Sequence, residues 1–317
     1  ILILFIIALL IYFVAFGQRI NPCPFFKYFN AGDYALKAKK IEIMDESKKN
    51  ILRGYIYRKE NGYRGIIVFC HGLGPGQIEY MTLISYFCLH DFTVLAIDNV
   101  GCNFSDGKNI RGMYCGVEAA CLAVNYIKNQ KEFNGMKIHL VGHSLGGYSA
   151  LCASSKIDCD SVVSISAPYT PASSLYCGAS AYINKRLAYI LQPFWYIIDF
   201  LNFGFNGNLN AAKNALKSHA QKILLIHGEF DKNVPLKYST YGNVSESSKI
   251  IKYMAKNKCH NPYASELAQI LINELRGKMH QSYISGEEIK KNYFDFYDFE
   301  AAAEEDEEVM KIIFDFL

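Results

Sequence analysis

Lys137-Ile-His-Leu-Val-Gly142-His143-Ser144-Leu145-Gly146-Gly147 is the stretch whose reading decides the fold. Residues 138–141 form a short apolar run, and the small residues from Gly142 onward lead into a helix-like segment. The pattern predicts a buried strand, a turn with no room for side chains on its flanks, and a helix start. A serine at the apex of such a turn sits in a strained backbone conformation with its hydroxyl in the open. The glycines on either side keep neighbouring atoms clear of it. The plainer alternative is a glycine-rich strand-to-helix turn whose serine only caps the helix.

Composition narrows the classes. The 317 residues are enough for one large domain or two ordinary ones, and at 51% apolar they can fill a sizeable core. The net charge of +3 is small and the lysines are scattered, which argues against a nucleic-acid partner. Ten cysteines lie singly, mostly within apolar segments and with no C-x-x-C pair. They read as small buried hydrophobes in a reducing setting, with no zinc site or disulfide framework. Residues 1–16 are an uncharged apolar run ended by Gly17-Gln18-Arg19. That is slightly short of the ~20 residues needed to span a bilayer. The sequence begins without Met, so the run reads as the end of a longer one, and residues 1–20 are assigned to a membrane-anchor helix on an unassigned side of the membrane. A buried N-terminal helix is the alternative.

Beyond a linker with Pro22 and Pro24, two alternating stretches at 38–44 and 51–58 predict an antiparallel hairpin. Asn61-Gly62 then predicts a turn into residues 65–70, a run apolar on both sides. The same texture recurs at 92–97, 138–141, 161–166 and 222–226, with a last strand at 250–254. Such strands belong in a sheet covered on both faces. Helix-period segments at 80–90, 116–129 and 145–155 alternate with them, so a mostly parallel, doubly wound α/β sheet is expected. The alternation breaks once, over residues 167–219, a stretch rich in Tyr, Phe and Leu that carries the one tryptophan, Trp195. It reads as a helical lid over an apolar cleft, broken at Pro193 and around 204–207, or else as a structural excursion packed on the sheet. The domain is placed at 38–317, and the acidic run 304–308 is given a structural role at a helix start.

A serine hydroxyl is a poor nucleophile near neutral pH and needs a base and an orienting acid. On a sheet of this kind they follow in the order Ser, Asp or Glu, then His. The strand at 223–226 runs into His227-Gly-Glu229-Phe-Asp231, and the strand at 250–254 is followed by Lys258-Cys-His260. Both loops fall at carboxyl ends of strands, where such sites gather. His260 is the candidate base and Asp231 its orienter, with Glu229 as the alternative acid. His143 and His227 read as structural. Developing negative charge needs backbone N–H donors. Leu145, directly after Ser144, supplies one, and Leu73 in Cys70-His-Gly-Leu-Gly-Pro-Gly76 is the candidate for the other.

Four pieces together resemble the α/β-hydrolase superfamily, nearest to serine hydrolases grouped with monoacylglycerol lipases and S33-type aminopeptidases. They are His71-Gly72 after a strand, Asp98-Asn-Val-Gly101-Cys-Asn-Phe-Ser105, Gly142-His-Ser144-Leu-Gly146, and Asp231 with His260. The second resembles that family's D-x-x-G-x-G-x-S loop, which braces the site, with Cys102-Asn103 replacing the second glycine region. The residue before the base is Cys259, where many relatives have glycine. The resemblance covers roughly residues 38–275. It implies acyl transfer to water from a small-molecule acyl substrate, with no metal or organic cofactor. The aromatic insertion and the anchor lean towards an apolar ester such as a monoacylglycerol. An S33-like aminopeptidase, another acyl hydrolase, or a non-catalytic membrane-tethered binding protein of the same fold are the alternatives.

Overall fold

The computed structural model describes residues 1–59, 63–285, 294–295 and 297–317. The turn expected at Asn61-Gly62 lies outside them. The apolar runs become strands β3 (Ile66–Cys70), β4 (Thr93–Ile97), β5 (Ile138–His143) and β6 (Ser161–Ile165), in which every residue is buried. The hairpin is β1 (Lys37–Met44) with β2 (Ile51–Arg58), and β7 (Lys222–Gly228) and β8 (Ile250–Ala255) complete the sheet. The order is β1-β2-β4-β3-β5-β6-β7-β8. β1 and β2 pair antiparallel, β2 meets β4 antiparallel, and all pairs from β4 to β8 are parallel.

Alternation along the buried strands feeds two cores. Leu140 and Val162 face one, shared with α3 (Tyr114–Lys128), α4 (Leu145–Ala153) and α7 (Ala211–Lys217). Val141 and Val163 face the other, shared with α2 (Met81–Leu89) and α10 (Glu307–Phe316). Residues with nothing but apolar surroundings on both sides suit parallel strands covered by helices. The acidic run ends at α10, where Asp306 caps the helix by accepting the Val309 amide at 2.9 Å.

Between β6 and β7 the insertion holds α5 (Pro171–Ala179), α6 (Lys185–Phe203), a 3-10 turn and α7. No break occurs at Pro193, which lies inside α6. The proline removes one hydrogen bond to the carbonyl four residues back, that of Tyr189, whose side chain is exposed. The helix stops instead at Gly204, with φ 60°.

The N-terminal run forms α1 (Leu2–Phe16). Among the described residues no helix is long and apolar enough to cross a membrane. One face of α1 is docked on α6 through Ala8, Tyr12 and Phe16. Trp195 Nε1 donates to the Ala8 carbonyl at 3.1 Å. Tyr12 Oη lies 2.6 Å from Asp199 Oδ1 and 2.8 Å from the Arg111 carbonyl. One hydroxyl hydrogen cannot serve both oxygens. A protonated Asp199 donating to Tyr12 Oη, with Tyr12 donating to Arg111, satisfies the set.

Burial pushes the Asp199 carboxyl up to about 7, well above the ordinary carboxylate range. A folded-state pKa raised above the unfolded one means that stability is fully present below about pH 4 and is lost as pH rises to about 7. Asp199→Asn, which keeps a donor in place, is expected to be more stable than wild type at pH 8 and to show a flatter pH dependence of the urea midpoint. Identical profiles for the two proteins would mean that Asp199 is ionised in the folded chain at neutral pH.

Candidate active site

Cys70 at the end of β3 pairs in register with Gly142 of β5, so two loops leave the sheet side by side. Ser144 sits at the second, between β5 and α4, with φ 55° and ψ −118°. Its amide donates to the Ile165 carbonyl at 2.8 Å, which holds the apex on β6. A Cβ on Gly142 would lie 2.3 Å from the Gly146 carbonyl, and one on Gly146 would lie 1.9 Å from the Cys70 carbonyl. Glycine is required at both positions because the turn folds back on itself and against β3.

The structure brings Ser144, His260 and Asp231 together. Ser144 Oγ lies 3.0 Å from His260 Nε2, and His260 Nδ1 lies 2.8 Å from Asp231 Oδ2. A carboxylate facing Nδ1 keeps the proton there, so Nδ1–H donates and Nε2 accepts from the serine hydroxyl. The second oxygen, Asp231 Oδ1, accepts the amides of Asn233 and Val234, both at 2.9 Å, and so fixes the rotamer. The alternative acid, Glu229, instead accepts the Asn257 amide at 3.1 Å. His227 is 3.9 Å from Asp231 Oδ2, but burial holds its imidazole below the ordinary range. It is neutral there, lies face to face with Tyr241 at 5.8 Å between ring centroids, and forms no ion pair. The base loop is held from α8 (Glu266–Ser285), where Gln269 Oε1 accepts the Cys259 amide at 2.6 Å.

The loop after β3 is braced from two sides. His71 Nδ1–H donates to the Gly72 carbonyl at 2.7 Å while Nε2 accepts the Asn99 amide at 2.9 Å, and burial pushes this imidazole down to about 4. Asp98, pushed up by burial to about 7, accepts the Gln77 amide at 2.8 Å and Asn103 Nδ2 at 3.0 Å. Asn103 stands where the family pattern has its second glycine, and it adopts the left-handed conformation with φ 42°. Asparagine tolerates that region because its short side chain bonds locally. The departure therefore leaves the bracing loop intact. Leu145 opens α4, and Leu73 stands half exposed on the loop after Gly72. Among the described residues no hydrogen bond engages either amide.

Tyr80 is a residue that sequence reasoning missed. Its hydroxyl accepts the Gly72 amide at 3.1 Å and donates to His143 Nδ1 at 3.0 Å. His143 Nε2–H in turn donates to the His260 carbonyl at 2.9 Å. His143 thus turns away from Ser144, as the elbow predicts, yet ties the loop at Gly72 to the backbone of His260. The available signal was weak: a tyrosine inside an apolar helix start needs a partner for its hydroxyl, but no pattern says which.

A cavity of about 350 Å³ lies against Leu73, Tyr80 and Asn261, the residue after His260. Its remaining walls come from residues 23–29, from 78–82, from α8 and from 294–305. None of this cavity's lining residues belongs to 167–219. The insertion buries its largest apolar side chain, Trp195, with its indole nitrogen bonded to α1. Among the described residues no group of three or more His, Cys, Asp or Glu is placed to hold a metal ion.

A backbone such as that of Ser144 costs a non-glycine residue about 1–3 kcal/mol, against about 0.5–1 kcal/mol for the added freedom of glycine in the unfolded chain. Ser144→Gly is therefore expected to raise the unfolding free energy by about 1 kcal/mol in urea titration. A lower midpoint would show that no strain is held at the apex.

Residues 65–177 match a family model described as the alpha/beta hydrolase fold. No curated protein sequence matches the chain at a significant level. Among solved structures, an esterase of Pyrococcus furiosus is 18% identical, with 84% of this chain and 98% of that one covered and a TM-score of 0.59. A dienelactone hydrolase from Anabaena variabilis is 16% identical over 77% of this chain and 98% of that one, with a TM-score of 0.50. A puromycin-hydrolyzing peptidase of Mycobacterium tuberculosis is 17% identical over 72% of this chain and 36% of that one, with a TM-score of 0.52. At these identities the likeness establishes the shared fold.

Proposed function

We propose that this chain, a member of the α/β-hydrolase superfamily, is a serine hydrolase that cleaves a carboxylic ester through an acyl-enzyme. The observation that carries the reading is the unbroken line of hydrogen bonds from Asp231 through His260 to a strained, accessible Ser144. Ser144 Oγ attacks the ester carbonyl as His260 Nε2 takes its proton, and the alkoxide leaves with that proton returned. Water then repeats the sequence on the acyl-serine. Asp231 holds the imidazole in the tautomer that leaves Nε2 free and stabilises the imidazolium as it forms. The amides of Leu73 and Leu145 are the donors for the tetrahedral oxyanion, each worth about 3 kcal/mol in such sites. Leu145 adds the positive end of the α4 dipole.

Esters rank before peptides because the insertion, whose one acidic residue is Asp199, offers no acidic cluster for a peptide N-terminus. A fluorophosphonate probe should label the wild-type chain and leave Ser144→Ala unlabelled. Equal labelling of both would sink Ser144 as nucleophile, and labelling of neither would favour a binding protein. Asp231→Asn should lower kcat about 10⁴-fold, while Glu229→Gln should stay near wild type; the reverse order would make Glu229 the acid. p-Nitrophenyl acyl esters, including monoacylglycerol-like ones, tested beside aminoacyl-arylamides separate esterase from peptidase.

For α1 the reading includes contact of its outer side with a lipid surface. Its outer side exposes Leu9, Leu10, Phe13 and Val14, and the neighbouring α6 exposes Ile190, Ile197 and Leu201 beside Lys185 and Arg186. Apolar side chains flanked by cations suit the interface of an anionic membrane. The protein should co-sediment with anionic vesicles, and the double substitution Leu10→Asp, Phe13→Asp should release it while leaving the docked face of α1 untouched. Retention of the variant on vesicles would count against this surface.

A further inference from the structure

The hydrolytic reading leaves the polar lining of the cavity beside Leu73 without a role. The two ends of the chain meet there and supply aromatic walls. Phe26 lies edge-on to Phe294 at 6.3 Å and to Phe299 at 5.0 Å, and Tyr263 flanks His143 at 5.2 Å between ring centroids. Three carboxylates, those of Glu79, Glu304 and Glu305, line the same space. Among the described residues the one lining cation is Lys27, and its ammonium is drawn to Glu300, which is not part of the lining.

Among the described residues, two acceptors on this lining lack donors. Asn261 is only 8% exposed, and its Oδ1 has no hydrogen-bond partner. Glu305 Oε1 is likewise buried and without a partner. Native interiors leave few such atoms, and each one asks for an explanation. With burial alone acting on it, the Glu305 carboxyl is pushed up to about 8. A nearby cation would restore the carboxylate.

We propose that this cavity binds a primary ammonium group carried on an apolar body, with Glu305 and Asn261 as its acceptors, and that the ester handled by Ser144 bears such a group. An ammonium brings three donors, enough for both unpartnered oxygens. Its charge is favoured by the surrounding carboxylates and by the faces of the aromatic walls, and the apolar body fills the rest of the space. A neutral ester of the same shape satisfies one acceptor at most and gives Glu305 no counter-charge. Leu73, the proposed oxyanion donor, and Asn261, which follows the proposed base in sequence, both line the cavity, which places an occupant near the reacting centre. The link to turnover rests on the serine-hydrolase reading; the binding site does not.

Calorimetric titration of the Ser144→Ala protein with 3-phenylpropylamine and its neutral isostere 3-phenylpropan-1-ol tests the site. The amine should bind at least tenfold more tightly. Glu305→Gln, which keeps the side chain's size, should remove most of that preference, and Asn261→Leu should weaken the amine alone, with circular dichroism confirming that each variant is folded. Equal affinities, or a preference that survives Glu305→Gln, overturns the site. In the wild-type chain, kcat/KM for the p-nitrophenyl ester of an ω-amino acid should exceed that of its N-acetyl derivative at least tenfold. Hydrolysis blind to the amine overturns the assignment to the substrate. Glu305-dependent amine binding with no hydrolysis of any ester leaves the site standing and sinks the hydrolase reading instead.

Discussion

Contact between Gly146 and the carbonyl of Cys70 is the constraint on which the site depends. A single added methyl carbon would sit 1.9 Å from that oxygen, so α4 can begin this close to β3 only without a side chain there. The closeness follows from the strand order, in which β3 and β5 are neighbours although β4 and the helices α2 and α3 separate them in sequence. It sets the positive end of a helix beside the glycine-rich loop that follows β3. The apex of the turn is held on its other side by the bond from the Ser144 amide to the Ile165 carbonyl.

Around that contact, buried polar groups do work that packing alone does not. His71 pins the loop to Asn99, Asp98 pins it to Gln77, and Tyr80 with His143 pins it to the base loop. Each side chain is fully enough bonded to be tolerated where it sits, and each bond joins loops that leave different strands. The result is a rigid frame made from loops, which are otherwise the least constrained parts of a fold. Asp231 is held in the same manner, by two amides of its own turn.

Much of this was legible in the sequence because it rests on local patterns. Continuous apolar runs gave the strands, the glycine spacing gave the elbow at Ser144, and chain order picked out Asp231 and His260 before any distance was known. The choice of Asp231 over Glu229 needed geometry, since both precede the same loop and only one reaches His260. What escaped the sequence was nonlocal. Tyr80 matters because of partners 8 and 63 residues away, which no periodicity encodes. An aromatic helical stretch looks alike whether it covers a cleft or buries Trp195 against α1, so the insertion's role was not legible. An apolar run likewise does not say what covers each of its faces, and here Ala8, Tyr12 and Phe16 are buried in protein.

The cavity walls carry a further consequence. Part of them comes from residues 23–29 and 294–305, outside the 65–177 region that matches the family model. That part of the wall is written in stretches of the gene separate from Ser144, Asp231 and His260. Changes in the terminal segments can retune which molecules are admitted while the hydroxyl, the imidazole and the carboxylate stay as they are. Swapping those two segments between related chains is accordingly a natural route to redirecting this scaffold.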